Sequence, residues 1–153
     1  MEEQCFRILI ADDYEPWRRF AASALHKQPR LLVVGEAADG LSAVEQAQDL
    51  HPDLILLDIN LPTLDGIEAA RRTRRHLSNS KILFCSQDLS PDTAEEALAT
   101  GAAGYVVKSD AATDLVGAAT AVLEGRRFVS RRFADRDFAQ TRPREVRSNP
   151  APR

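Results

Sequence analysis

With 153 residues, 44% of them hydrophobic and 28% charged, the chain fits one globular domain of common size. A domain of that length buries about two-thirds of the surface its unfolded chain exposes, which removes any need for a disulfide framework or a structural metal. The formal charge of −3 is uneven: from residue 126 on, nine Arg face Asp135, Asp137 and Glu145, so the first 125 residues carry −9 and do not suggest a nucleic-acid binder. No apolar run approaches the roughly 18 residues of a membrane span. The start, MEEQCFRILIA, lacks the basic region of a secretory signal. Cys5 and Cys85 stand in apolar runs that suit reduced, buried thiols. A cytoplasmic protein is expected.

Apolar runs and helical patterns alternate five times. Phe6–Ala11 (FRILIA) reads as a buried strand, followed by a helix over residues 17–28 that stops before Pro29. Leu31–Ala37 is a second strand. Asp39 can cap the next helix, where Leu41, Val44, Ala47 and Gln48 keep helical spacing up to His51 and Pro52. Residues 53–58 (DLILLD) are nearly all apolar, as in a central parallel strand covered on both faces. A loop with Pro62 leads to a helix over residues 65–77, whose RRTRRH cluster reads as a solvated face. Lys81–Ser86 is the fourth strand. Residues 91–100 form the fourth helix, with Pro91 in its first turn and Gly101 just past its end. Residues 103–108 are the fifth strand, and Ser109 or Asp110 caps a last helix through Leu123, closed by Gly125.

This pattern predicts a doubly wound α/β domain over residues 1–125, a five-stranded parallel sheet with five helices on its two faces. Residues 126–153 read as a basic, partly disordered tail. Ligands of such sheets bind outside the carboxyl ends of the strands. There the sequence places Asp12 and Asp13 after the first strand, Asp58 at the end of the third, Ser86 at the end of the fourth and Lys108 at the end of the fifth. Any one of them alone is usually a cap or a solvated side chain; five on one edge point to a site. Three carboxylates in one cleft repel unless a cation intervenes. Oxygen donors without Cys or His suit Mg²⁺, and the three His are too scattered for a zinc site. Asp58 can then act as a nucleophile toward a phosphoryl group, with Lys108 and Ser86 meeting its charge.

Asp12-Asp13, the segment DINLPTLDG from Asp58 through Pro62 to Gly66, Ser86, and GYVVK with Tyr105 and Lys108 resemble the receiver domain of bacterial response regulators. The last helix running into LEGRRFVS is most similar to the NarL/FixJ (LuxR-type) subgroup. The resemblance implies a flavodoxin-like sheet of order 2-1-3-4-5. It makes Asp58 the phosphoacceptor, and it gives Mg²⁺ the ligands Asp13, Asp58 and the Asn60 backbone carbonyl, with Asp12 acting through water. It assigns Lys108 to the phosphoryl group, Ser86 to the switch and Tyr105 to the aromatic that turns inward with it. The implied donor is a histidine kinase or phosphotransfer protein, or a small acyl phosphate. The implied readout is the face of the fourth helix, fifth strand and fifth helix, a candidate homodimer surface. Such a chain is no enzyme beyond catalysing its own phosphotransfer and slow autodephosphorylation.

Gln87 follows Ser86 where the family has a small residue, putting a longer side chain at the phosphoryl entrance. Asn60 and Asp88 occupy positions tied to hydrolysis of the acyl phosphate. Only 28 residues follow Gly125, and although TRPREVR resembles the start of a helix-turn-helix module, its apolar helices are absent. A stand-alone receiver that does not read DNA is therefore expected, the alternatives being a fragment of a LuxR-type transcription regulator or a degenerate receiver working without phosphorylation. Haloacid-dehalogenase-like phosphatases need a second Asp where Asn60 stands.

Overall fold

A computed structural model of the chain describes residues 4–133. Strands β1 (Phe6–Ala11), β2 (Leu31–Ala37), β3 (Leu54–Leu57), β4 (Lys81–Ser86) and β5 (Gly104–Val107) alternate with helices α1 (Glu15–His26), α2 (Gly40–Leu50), α3 (Gly66–His76), α4 (Pro91–Leu98) and α5 (Ala111–Leu123). The helix caps follow from local chemistry. Asp39 accepts a hydrogen bond from the Ser42 amide at 2.8 Å, Asp65 from Glu68 at 2.9 Å and Ser90 from Thr93 at 3.4 Å. Helix α1 begins two residues earlier than its apolar pattern suggests, because Pro16 fits a first turn that has no amide to lose. Asp110 occupies the N-cap position of α5, but its side chain makes no capping hydrogen bond. A 3₁₀ turn over Lys108–Asp110 runs directly into the helix, and the Asp110 carboxylate pairs with Arg132 instead.

All pairings are parallel, and the strand order is β2-β1-β3-β4-β5-β6. The sheet therefore has six strands where the sequence predicts five. The sixth, β6 (Phe128–Val129), comes from the stretch read as tail and lies along β5, pairing Gly104 with Phe128 and Tyr105 with Val129. It is pinned beyond its two residues. The Ser130 hydroxyl accepts from the Val107 amide at 2.8 Å, and the Ser130 amide donates to the Tyr105 carbonyl at 2.9 Å. Phe133, buried in the following turn, meets the Tyr105 ring edge-on at 5.7 Å. The remainder of the expected tail, residues 134–153 with TRPREVR, lies outside the described residues.

Alternation along the strands divides the core in two. Leu9, Ile55, Phe84 and Tyr105 face α2, α3 and α4, whereas Ile8, Leu56, Cys85 and Val106 face α1 and α5. Cys85 is buried as expected, but Cys5 precedes β1 and is exposed; both are free thiols. In the RRTRRH cluster Arg71, Arg75 and His76 are exposed and Arg71 and Arg72 pair with Glu68, whereas Thr73 points into the core.

Phe133→Ala removes a ring from the Tyr105 contact and should destabilise the fold by about 2 kcal/mol or more, measured by urea unfolding. A loss near zero would mean that residues 128–133 do not belong to the folded unit.

Candidate functional site

The strand order reverses between β1 and β3, and there the sheet brings the acidic residues together. Register pairs Ala11 with Leu57, so the next residues, Asp12 and Asp58, leave adjacent strands side by side. The Asp58 amide donates to the Ala11 carbonyl at 3.0 Å and the Asp12 amide to the Ala37 carbonyl at 2.9 Å, extending the ladders to the rim. Behind Asp58, α3 starts so close that a Cβ on Gly66 would lie 1.9 Å from the Asp58 carbonyl oxygen. Only glycine fits there.

Asp12, Asp13 and Asp58 each offer a carboxylate oxygen, all within 4.8 Å of one another. Asp12 and Asp58 are buried, at 1% and 7% exposed, while Asp13 is exposed. Lys108, at the start of the 3₁₀ turn after β5, places Nζ 2.5 Å from Asp12 Oδ2 and 3.6 Å from Asp58 Oδ2. Asp12 Oδ1 accepts from the Tyr14 amide at 2.9 Å. Its Oδ2 takes no aligned hydrogen bond and is met by the Lys108 charge alone. Three hard oxygen donors, one of them buried without a hydrogen bond and none from Cys or His, fit Mg²⁺.

Burial pushes the Asp58 carboxyl up from 3.8 to about 6, and Asp12 adds to the rise; Lys108 and the amides of Ile59 and Asn60 oppose it. Asn60 thus reaches Asp58 through its backbone amide. Arg18, which the sequence reading passed over, steadies the same rim. It donates to the Asp12 carbonyl at 2.7 Å and pairs with Glu36 at 2.8 Å.

Ser86 is fully buried at the end of β4, its register partner on β5 being Val107, the residue before Lys108. Its hydroxyl accepts from the Asp88 amide at 3.1 Å. Tyr105 is also fully buried, and its hydroxyl donates to the Asp88 carbonyl at 3.0 Å. The ring is therefore inward in this structure, tied to the same loop residue as Ser86. Burial pushes its phenol up to about 12, against a hydrogen bond with Ser86.

A cavity of about 530 Å³ opens beside the carboxylates, lined by Tyr14, Trp17, Phe20, Gln87, Leu89 and Lys108 among others. Tyr14 is 63% exposed and Leu89 54% exposed, so the mouth is apolar and wide. Gln87 lines this cavity together with Lys108. Trp17 is a second residue, beside Arg18, that sequence reasoning missed. Its ring lies 5.0 Å from Lys108 Nζ, and the only signal would have been an aromatic in the first turn after the acidic pair.

Residues 8–120 match the family model described as the response regulator receiver domain. The chain is 33% identical over 136 residues to the transcriptional regulatory protein LiaR of Bacillus subtilis, covering 89% of this chain and 64% of that protein. It spans little more than half the length of other curated relatives. Among solved structures, a LuxR-family two-component response regulator from Aurantimonas superposes with a TM-score of 0.83 at 33% identity, covering 90% of this chain and 98% of that one. The signal receiver domain of the putative response regulator NarL from Mycobacterium tuberculosis gives 0.77 at 32%, covering 81% of this chain and 100% of that one.

A folded-state value near 6 against 3.8 means that the fold binds the Asp58 proton more tightly than the unfolded chain does. That contribution is complete below about pH 4 and is lost as the pH rises through 6. In chelator, the stability of Asp58→Asn relative to the unsubstituted protein should rise between pH 4 and pH 7 by about 2 kcal/mol after allowance for solvent screening, and Mg²⁺ should shrink the gain. Urea titrations at the two pH values measure it; a flat difference would show that Asp58 carries no burial penalty.

Proposed function

Because the chain belongs to the response regulator receiver family, we propose that it takes a phosphoryl group onto Asp58 from a histidine kinase or phosphotransfer protein. It then changes the face of α4, β5 and α5 that partners read. The observation that carries this reading is the convergence of three carboxylates within 4.8 Å under an ammonium that reaches two of them. A merely structural sheet rim gains nothing from such repulsion.

The chemistry follows from the groups present. An Asp58 carboxylate oxygen attacks phosphorus, the donor's phosphorus–nitrogen bond breaks, and the imidazole leaves with its electron pair and takes a proton from water. The Ile59 amide, donating to Asp58 Oδ1 at 2.8 Å, holds that oxygen and leaves the other to react. Lys108 meets the charge of the incoming group, exchanging contacts with Asp12 for contacts with the phosphoryl oxygens. Asp12, Asp13, Asp58 and the Asn60 carbonyl would hold Mg²⁺. The ion, when bound, offsets the charge gathered on the transferring oxygens. The acyl phosphate is lost slowly to water, so the chain catalyses only its own modification.

The switch reading rests on shared hydrogen bonding. Ser86 and Tyr105 both bond the Asp88 backbone, so a Ser86 hydroxyl drawn toward a phosphoryl group releases one of two ties on that loop. Only such a contact, present in one state and absent in the other, shifts a population. The altered α4-β5-α5 face then serves partner binding or homodimerisation. A cytoplasmic setting belongs to this reading; no helix among the described residues is long and apolar enough to cross a membrane. A second reading makes this the receiver part of a LuxR-type transcription regulator; the greater length of the curated relatives favours it. In either reading we assign no DNA contact to the acidic domain.

Incubation with Mg²⁺ and phosphoramidate should add one phosphoryl group, seen as a single mass increment. Asp58→Asn should abolish it and Asp13→Ala should weaken its Mg²⁺ dependence. Unchanged labelling of Asp58→Asn would exclude the acceptor, and no labelling of the unsubstituted protein would point to a receiver that works without phosphorylation. Ser86→Ala should still be labelled, yet lose the change in amide exchange at α4 and β5 that beryllofluoride induces; a retained change would remove Ser86 from the switch.

A further inference from the structure

Lys108 is a flexible side chain asked to hold one point in space. An ammonium on a four-carbon stem has many rotamers, and fixing it against two carboxylates calls for a further restraint. Trp17 supplies a candidate. The ring of Trp17 lies with Lys108 Nζ 5.0 Å from its centroid, within the range where the negative face of an indole attracts a cation. Trp17 itself is held. It sits in the first turn of α1, packs against the core cluster on the α1–α5 side of the sheet, and stacks obliquely on Phe20 with centroids 5.2 Å apart. Trp17 and Lys108 line the same cavity wall.

We propose that Trp17 is a positioning residue for phosphoryl transfer: its indole face holds the Lys108 ammonium between Asp12 and Asp58, ready to meet the incoming phosphoryl oxygens. The proposal rests on the phosphoacceptor reading of Asp58. Its specific content is that an aromatic face, rather than apolar bulk, is what position 17 supplies.

Phenylalanine keeps a face and leucine does not. With phosphoramidate and Mg²⁺, Trp17→Phe should phosphorylate within about twofold of the unsubstituted rate, whereas Trp17→Leu should be slower by about three- to tenfold. In a Lys108→Met background the leucine substitution should have no further effect. Equal rates for Phe and Leu, or the same loss without the ammonium, would overturn the proposal and leave a packing role. A second readout needs neither phosphorylation nor any variant of Trp17. In the unsubstituted protein the Lys108 methylene protons should show upfield ring-current shifts by NMR; ordinary shifts would refute the contact outright. If the unsubstituted protein is not labelled at all while the shifted methylenes are present, the fault lies with the phosphoacceptor reading and the ring's hold on Lys108 stands.

Discussion

Two buried carboxylates at the ends of neighbouring strands, with a third at their mouth, repel one another in a place where water screens poorly. The arrangement persists because Lys108 lies across Asp12 and Asp58, and because the backbone leaves those residues little choice. Parallel register commits Asp12 and Asp58 to adjacent positions as soon as Ala11 pairs with Leu57. Gly66 lets α3 press against the Asp58 carbonyl, and Arg18 braces the Asp12 carbonyl from α1. The cost of the charge is therefore carried by the whole sheet, whose two apolar cores fix the strands that present it. A site built this way is poised for any event that adds or removes positive charge.

Much of this was legible in the sequence because a doubly wound fold writes itself plainly. Buried parallel strands appear as apolar runs, and the polar residue that ends each run falls on the rim. Asp12, Asp58, Ser86 and Lys108 could be placed at strand ends by that rule alone, and the structure then brings Asp12, Asp58 and Lys108 into contact. The acidic pair followed by DINLPTLDG and GYVVK supplied the family before any coordinates did.

What escaped the sequence reading lacked periodicity. A two-residue strand such as β6 offers no alternation, and RRFVS, with two Arg and a Ser, reads as a solvated tail; pairing to an already formed β5 decides it. Asp110 stands at the N-cap as the sequence suggests, but a 3₁₀ turn leads into it and its carboxylate pairs with Arg132 instead of the helix amides. Cys5 looked buried because the run beginning at Phe6 is, yet it falls one residue outside the strand. Trp17 shows the same limit from the other side. Its ring acts across α1 and the end of β5, and nothing in the spacing of Trp17 and Lys108 along the chain forecasts that they meet.

The sixth strand has a mechanical consequence. Ser130 holds the amide of Val107 next door to Lys108, and Phe133 leans on the Tyr105 ring. The main chain thus departs from the sheet with no slack loop between it and the residues nearest the acidic rim. A displacement of Val107 at that rim has to carry Ser130 with it or break their hydrogen bond, so the last described turn and the tyrosine ring are joined to the rim by direct contacts.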